Sequence, residues 1–204
     1  MTQINLGIKV EGKIKIFDPT SGEILVQKSN QIHYENFSEA LANSIANKGQ
    51  QTIYEMHFGN GGTSIDPTGV ISYLPPNSTG QNANLYNPTY YKIVDNTSLL
   101  NPDQVRNMME VRHIPGTVYT DILVSCLLDY GEPADQAAFD NSQNLSGNYV
   151  FDELGLKGYV PNNPGTGKLL THVIFHPVQK SLNRLIQIDY TVRISALTNL
   201  SSIG

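Results

Sequence analysis

Two glycine-rich stretches are the first candidates for chemistry, because glycine loops can cradle phosphates. The segment 164–168 reads PGTGK, close to a phosphate-loop pattern, which needs Gly five residues before its Gly-Lys pair and Ser or Thr after it. Asn162 and Leu169 occupy those two positions, so the tight turn and the Mg²⁺ ligand are missing. The stretch 59–62 (GNGG) follows a predicted strand, but no helix pattern begins after it. We therefore predict no nucleotide site and no cofactor.

The candidates for metal ligands are the five histidines, His33, His57, His113, His172 and His176. His172 and His176 are four residues apart in a strand pattern that ends at Pro177. At the rise of a strand they lie about 13 Å apart, which is too far for one ion. His57 shares a strand face with Glu55, at about 7 Å, and nothing else marks a zinc or iron site. We predict that the histidines are hydrogen-bonded structural residues and that the protein binds no metal.

Nucleophiles and paired acids give no local catalytic signature. Cys126 lies inside an apolar strand pattern, whereas a reactive thiol needs a partly exposed, electropositive site. No Gly-x-Ser-x-Gly elbow occurs in the sequence. Asp152 and Glu153 are adjacent, and neighbours in a strand point apart. Two carboxylates that converge from distant positions stay an open alternative. We predict no catalytic residues and a protein that is not an enzyme.

The composition narrows the class of protein. The chain has 204 residues, and 15% of them are charged, against about 25% in an average soluble domain. Its 13 basic and 18 acidic residues are dispersed, which argues against a protein that coats duplex nucleic acid. No apolar run approaches the roughly 20 residues of a membrane span. The single cysteine excludes an intrachain disulfide and indicates synthesis in a reducing cytosol. Low charge favours either a surface covered by neighbouring subunits or a loop-rich β protein, and both interpretations stay open.

The first elements that the sequence predicts are a β-hairpin and one helix. Ile4 to Ile16 alternate apolar and polar residues with a strand's period of two, the turn 18–22 (DPTSG) follows, and 23–28 returns as a second strand. A helix is predicted from an N-cap at Asn36 to a C-cap at Gly49. Its apolar stripe, which should pack on a sheet, consists of Phe37, Leu41 and Ile45.

Further strand patterns follow along the chain. They cover 51–58, 70–74, 89–94, 117–129, 149–156, 169–175 and 185–194, and we expect 117–129 to be central. In the last strand Ile186, Ile188, Tyr190, Val192 and Ile194 should face inward. The sequence therefore predicts one mainly β domain over 1–204, an antiparallel β-sandwich with one short amphipathic helix and a long extended loop.

The long loop is the segment 75–107, which is mostly polar and rich in Pro, Asn and Gly. Structureless loops of this length are uncommon in compact domains and are often functional. Apolar anchors distinguish this one from a flexible linker. We predict an inserted, ordered arm that forms an assembly interface through Leu85, Tyr86, Tyr90 and Tyr91.

Several stretches together resemble virion structural proteins of tailed bacteriophages, notably of large myovirus-like phages. They are 53–63 (IYEMHFGNGGT), 129–140 (DYGEPADQAAFD), 150–158 (VFDELGLKG), 169–177 (LLTHVIFHP) and the closing 189–194 (DYTVRI). The helix, the strand and the FGNGGT that follow one another are similar to a pattern in phage neck, tail and fibre-attachment proteins. The resemblance implies a symmetric oligomer in the particle and brings no catalytic residues with it.

We therefore expect a non-enzymatic structural subunit of a phage neck, collar or tail that assembles as a ring through loop contacts. Its partners would be copies of itself and other virion proteins, with no membrane and no sequence-specific nucleic acid. It would be made in the host cytoplasm and located in the virion. A capsid decoration protein is the first alternative, and a glycan-binding or depolymerase module of a tail fibre is the second.

Overall fold

A computed structural model describes residues 6–134 and 148–198 of the chain. These residues form one α-helix and eleven β-strands. In chain order the elements are β1 (Leu6–Phe17), β2 (Ile24–Ile32), α1 (Tyr34–Ile45), β3 (Ile53–Gly59), β4 (Thr63–Ile65), β5 (Ile71–Tyr73), β6 (Pro88–Ile93), β7 (Met108–His113), β8 (Tyr119–Leu128), β9 (Asn148–Gly158), β10 (Leu169–Ser181) and β11 (Ile186–Thr198). The predicted connection 131–147 and the start of the first strand lie partly outside the described residues.

Nine of the strands form one curled antiparallel sheet, in the order β6-β3-β9-β10-β2-β1-β11-β8-β7, and β4 and β5 form a separate hairpin. Strand β2 is the corner, because most of it pairs with β1 while its last two residues, Gln31 and Ile32, pair with β10. The two halves of the sheet face each other: Lys92 Nζ on β6 donates to the Leu127 carbonyl on β8 at 2.7 Å. The prediction of a mainly β, antiparallel sandwich with one short helix is confirmed.

The hairpin β1–β2 follows directly from its turn chemistry. Asp18 Oδ1 accepts the backbone N–H of Thr20 at 2.8 Å and of Ser21 at 3.2 Å, an Asx-type turn. Gly22 has a φ of 75°, a value that a side chain would disfavour. Arg184 Nε donates to the other Asp18 oxygen at 2.9 Å, which ties the turn to the β10–β11 connection. The predicted turn and both strands are confirmed.

One hydrophobic core lies between the two halves of the sheet. Four of the five predicted inward residues of β11 belong to this core, and the fifth, Ile194, is partly buried against it. Apolar residues at alternate positions bury one face of a strand, and this accounts for the clean pattern of the last strand. The fully buried members of this core with large side chains include Ile14, Ile16, Met56, Phe58, Leu128, Tyr149, Phe151, Leu154, Leu156 and Tyr190.

The helix differs from its prediction at both ends. It begins at Tyr34 with His33 as N-cap, whose Nδ1 accepts the Asn36 N–H at 3.3 Å, so the predicted N-cap at Asn36 is wrong. Asn36 instead lies inside the helix and donates through Nδ2 to the Leu169 carbonyl at 2.9 Å. The helix ends at Ile45, four residues before Gly49, and Ile45 is 79% exposed. Burial of the predicted stripe therefore decreases along the helix, since Phe37 is buried and Leu41 is half-buried.

Two features of the sheet were not expected. Strand β7 had no counterpart in the sequence prediction, and it forms one edge of the nine-stranded sheet. Strand β8, which we expected to be central, is therefore second from that edge. Four of the six residues of β7 are exposed, so the strand lacks the apolar alternation that marks a half-buried strand. Of the described residues, none belongs to a helix that is long and apolar enough to cross a membrane.

Candidate interaction surface

A buried acid is a main anchor of the first part of the predicted arm, residues 75–87, and His33 Nε2, 2.9 Å from the Gly80 carbonyl, is another. Glu153 on β9 is fully buried, and its carboxylate accepts the backbone N–H of Tyr86 at 2.9 Å and of Asn87 at 2.8 Å. It also accepts the N–H of Gly61, in the loop after β3, at 3.1 Å. Two loops that are far apart in sequence therefore meet on one carboxylate.

His172 on β10 completes this anchor. The N–H of Asn77 donates to His172 Nδ1 at 2.8 Å, so the ring proton is on Nε2, which donates to Glu153 at 2.9 Å. Burial tends to raise the pKa of Glu153. The hydrogen bonds from His172, Asn87 and Tyr86 outweigh burial and hold the pKa below its ordinary value. The charged carboxylate is the form that these donors stabilise.

Asp152, the neighbour of Glu153, holds the next residues of the same β3 loop. Its Oδ1 accepts the N–H of Gly62 at 2.9 Å, and its Oδ2 accepts the N–H of Thr63 at 2.8 Å together with the Thr63 hydroxyl. Burial raises the pKa of Asp152, although these hydrogen bonds partly oppose the effect. The adjacent acids that were weighed as a catalytic pair thus bind backbone amides of loops.

The four predicted interface residues are placed differently from one another. Leu85 and Tyr90 are buried within the protein itself, where they anchor the segment. Tyr86 is partly exposed, and its hydroxyl donates to the Pro75 carbonyl at 2.8 Å. Tyr91 is half-buried, and its ring is stacked on His57 with centroids 5.1 Å apart. Only Tyr86 and Tyr91 reach the surface, and their contact with a partner stays a prediction.

The second part of the arm, residues 95–107, presents apolar side chains to solvent. Leu99 is 96% exposed, Leu100 is 61% exposed and Val105 is 80% exposed. We call these three side chains the apolar loop surface. Isolated exposed apolar residues are ordinary on proteins, but three within seven positions of one loop form a concentrated feature. The sequence prediction does not include it, because the anchors predicted for the arm all precede residue 95.

Polar side chains hold this loop in one conformation. Asn101 and Asn107 are buried, and Asn101 Nδ2 donates to the carbonyls of Asp95 at 3.1 Å and of Asn107 at 2.8 Å. Asn107 Oδ1 accepts the N–H of Leu127 on β8 at 3.0 Å. Arg106 Nη1 lies 2.6 Å from Asp129 Oδ2, and Asp129 directly follows β8. A loop fixed in this way loses little conformational freedom when its apolar side chains are covered.

The other candidate residues of the sequence also have structural partners. Glu55 on β3 accepts from His57 Nε2 at 2.8 Å and from the N–H of Gly165 at 2.8 Å, so the PGTGK segment is a loop held by a buried acid. Burial lowers the pKa of His57, despite its bond to Glu55, and burial also lowers the pKa of Lys157. His57, Lys157 and Tyr91 line a cavity of about 240 Å³.

The remaining candidates do not converge. His172 is buried, whereas His176 is exposed and contacts the Tyr73 hydroxyl at 3.2 Å through Nδ1. Burial raises the pKa of the Cys126 thiol to about 12. Within residues 6–134 and 148–198, no three side chains of His, Cys, Asp or Glu are grouped as a metal site requires.

Comparison with known proteins identified no similar protein. No protein-family model matches the chain, and searches of curated proteins and of solved structures found no match.

Proposed function

We propose that this chain is a non-enzymatic structural subunit of a tailed-phage particle, in its neck, collar or tail. It assembles with copies of itself and with other virion proteins as a symmetric ring, through contacts made by the arm. The resemblance of its sequence to virion proteins and its 15% charged fraction support this proposal. A surface with few charges is covered by neighbours at a small desolvation cost.

The observation that carries the proposal is the apolar loop surface. Leu99, Leu100 and Val105 are exposed to water on a loop whose backbone is hydrogen-bonded by buried asparagines. Covering a Leu or Val side chain fully is worth about 1.5–3 kcal/mol. Because the backbone of the loop is already held, ordering it on binding costs little conformational entropy. This property suits a protein contact better than a flexible linker.

The test replaces the apolar loop surface and measures assembly. The variant is Leu99→Ser, Leu100→Ser and Val105→Ser, and the matched control is Ile45→Ser, Ile65→Ser and Val70→Ser, which changes three exposed apolar residues elsewhere. We expect both variants to fold with a similar circular dichroism spectrum and melting temperature. The loop variant should lose assemblies larger than a dimer in analytical ultracentrifugation and incorporation into particles, while the control keeps both.

Three outcomes would overturn the proposal. If the loop variant and the control variant assembled equally well, the loop would have no role in assembly. Immunogold labelling over the whole capsid shell would replace the neck, collar or tail assignment with capsid decoration. Turnover of a polysaccharide by the purified protein, abolished by one point substitution, would replace the structural role with a depolymerase.

A further inference from the structure

Strand β7 leaves one edge of the large sheet open. Within the described part of the chain it pairs with β8 and with no other strand. The N–H of Met109 points away from β8, because it donates to Asn96 Oδ1 at 3.3 Å. Backbone groups alternate in direction along a strand, so Val111 and His113 also direct their N–H and C=O groups outward.

The open edge is short and has defined ends. Asn96 occupies the N–H of Met109 at one end, and at the other end Pro115, which has no N–H, is two residues beyond His113. Val111 lies in the middle of the outward-facing residues between these limits. An added strand therefore has few registers available, and the most extensive of them is centred on Val111.

A row of alternating charges crosses the outer face of the sheet and stops at this edge. Register partners in neighbouring strands are Glu11 on β1, Arg193 on β11, Asp121 on β8 and Arg112 on β7. Arg193 donates to both oxygens of Asp121, at 2.7 and 2.8 Å. The row ends on Arg112, whose side chain is about half exposed and lies 3.1 Å from Glu110 of the same strand. A negative charge on an added strand would continue the row.

We propose that a second copy of this chain pairs with β7 in antiparallel orientation, around a two-fold axis at Val111. In this register Glu110 lies opposite Arg112 of the second copy, and Arg112 lies opposite its Glu110. Each Val111 exchanges N–H and C=O hydrogen bonds with its counterpart, and His113 lies opposite Met109 of the second copy. Glu110 and Arg112 then form the closely spaced, non-hydrogen-bonded type of pair, in which side chains approach most.

The charges of β7 select both the occupant and its direction. Charged residues on an edge strand usually prevent edge pairing. Glu110 and Arg112 have opposite signs, are both about half exposed and flank Val111 symmetrically, so the edge is complementary to itself. A parallel pair in register would place Glu110 near Glu110 and Arg112 near Arg112, which is repulsive. Two-fold pairing is the common symmetry of dimers and uses one patch twice.

The inner face of the edge is completed by the same pairing. Val111 is 71% exposed and lies on the same side of the strand as Met109, which packs against the core. Both line an apolar cavity of about 330 Å³ between β7, β8 and α1, with Ile122 and Phe37 among the other walls. A second copy brings its own Val111 beside this one and extends the open wall of the cavity.

The test uses two charge-reversal variants of the full chain, Glu110→Arg and Arg112→Glu. Each variant alone places like charges opposite each other twice in the dimer, whereas a mixture of the two restores both opposite-charge pairs. We expect each variant to dimerise about ten-fold more weakly than the natural sequence in low-salt ultracentrifugation. Mixing equal amounts, one of them isotope-labelled, should yield a heterodimer in native mass spectrometry.

Hydrogen exchange gives the second measurement. The Val111 amide should exchange more slowly in the associated natural protein than in the dissociated variants, while the Met109 amide, which is bound to Asn96, should not change. Variants that dimerise as well as the natural chain, or a mixture without heterodimer, would overturn the pairing. The serine variant of the apolar loop surface keeps β7 intact, so failure of the edge proposal and failure of the proposed function give different results.

Discussion

The buried carboxylate of Glu153 allows the sharpest test of how the arm is held. The substitution Glu153→Gln keeps the size and shape of the side chain and replaces one oxygen by an NH₂ group. Oε1 accepts the N–H groups of Gly61 and Asn87, and Oε2 accepts the Tyr86 N–H and the His172 ring proton. Whichever way the amide is oriented, two of the four donors then face another donor.

The cost follows from these two lost pairs. A hydrogen bond to a charged group contributes about 1.5–3 kcal/mol to stability, so losing two costs about 3–6 kcal/mol. His172 cannot relieve this by moving its proton to Nδ1, because Nδ1 accepts the Asn77 N–H. The total free energy of unfolding of a protein is about 5–15 kcal/mol, so the expected loss is a large share of it.

The assay is urea unfolding followed by circular dichroism, at neutral pH and at several acidic values. The control is Glu23→Gln, which removes an exposed carboxylate 3.3 Å from Arg184 and should change stability little. The folded-state pKa of Glu153 is lowered, so its contribution is present above the ordinary value of 4.5 and is lost as the pH falls through the lower folded value. The variant should therefore lose less stability on acidification. A loss below about 1 kcal/mol, with an unchanged denaturant slope, would refute this reasoning.

Two further predictions concern buried titratable groups. Burial lowers the pKa of His57 below its ordinary value of 6.5, so stability should fall as the pH drops from 6.5 through the folded value. A titration of its ring nitrogens by NMR that gave a pKa of 6.5 or higher would contradict this. Burial raises the pKa of Cys126 to about 12, so Ellman's reagent at pH 8 should react only after denaturation. Stoichiometric reaction of the native protein within seconds would show an accessible thiolate instead.

Elements that bury one whole face could be predicted from the sequence, and the edge strand could not. The alternation of Ile186 to Val192 reports burial of one face of β11 directly. Strand β7 has neighbours on one side and exposes both Val111 and Arg112, so burial leaves no period of two in its sequence. The row of alternating charges that ends at Arg112 depends on its register with Asp121 and Arg193. Arg193 is distant in sequence, so no local pattern predicts the row.

The anchors of the arm could not be predicted either, because their partners also lie far away in the sequence. The predicted strand 149–156 correctly includes Asp152 and Glu153, but their partners are backbone amides of a loop near Gly61 and of one near Tyr86. Backbone N–H groups occur at nearly every residue, so the sequence carries no sign of which ones a buried acid will bind. The N-cap was misplaced because His33 is an unusual cap. In the fold its Nε2 lies 2.9 Å from the Gly80 carbonyl, and its Nδ1 accepts the Asn36 N–H.

The two parts of the arm are anchored independently, and this separates their roles in assembly. Residues 75–87 are held by Glu153 and His172, with further contacts from His33 and the buried Leu85. The apolar loop surface is held by Asn101 and Asn107. Glu153→Gln should therefore loosen the backbone at Tyr86 and Asn87 while leaving Leu99 in place, provided that assembly is measured well below the melting temperature of the variant. Particles that still incorporate this variant would locate the contact at residues 95–107. Loss of incorporation by a variant that is still folded would instead assign the contact to Tyr86 and its neighbours.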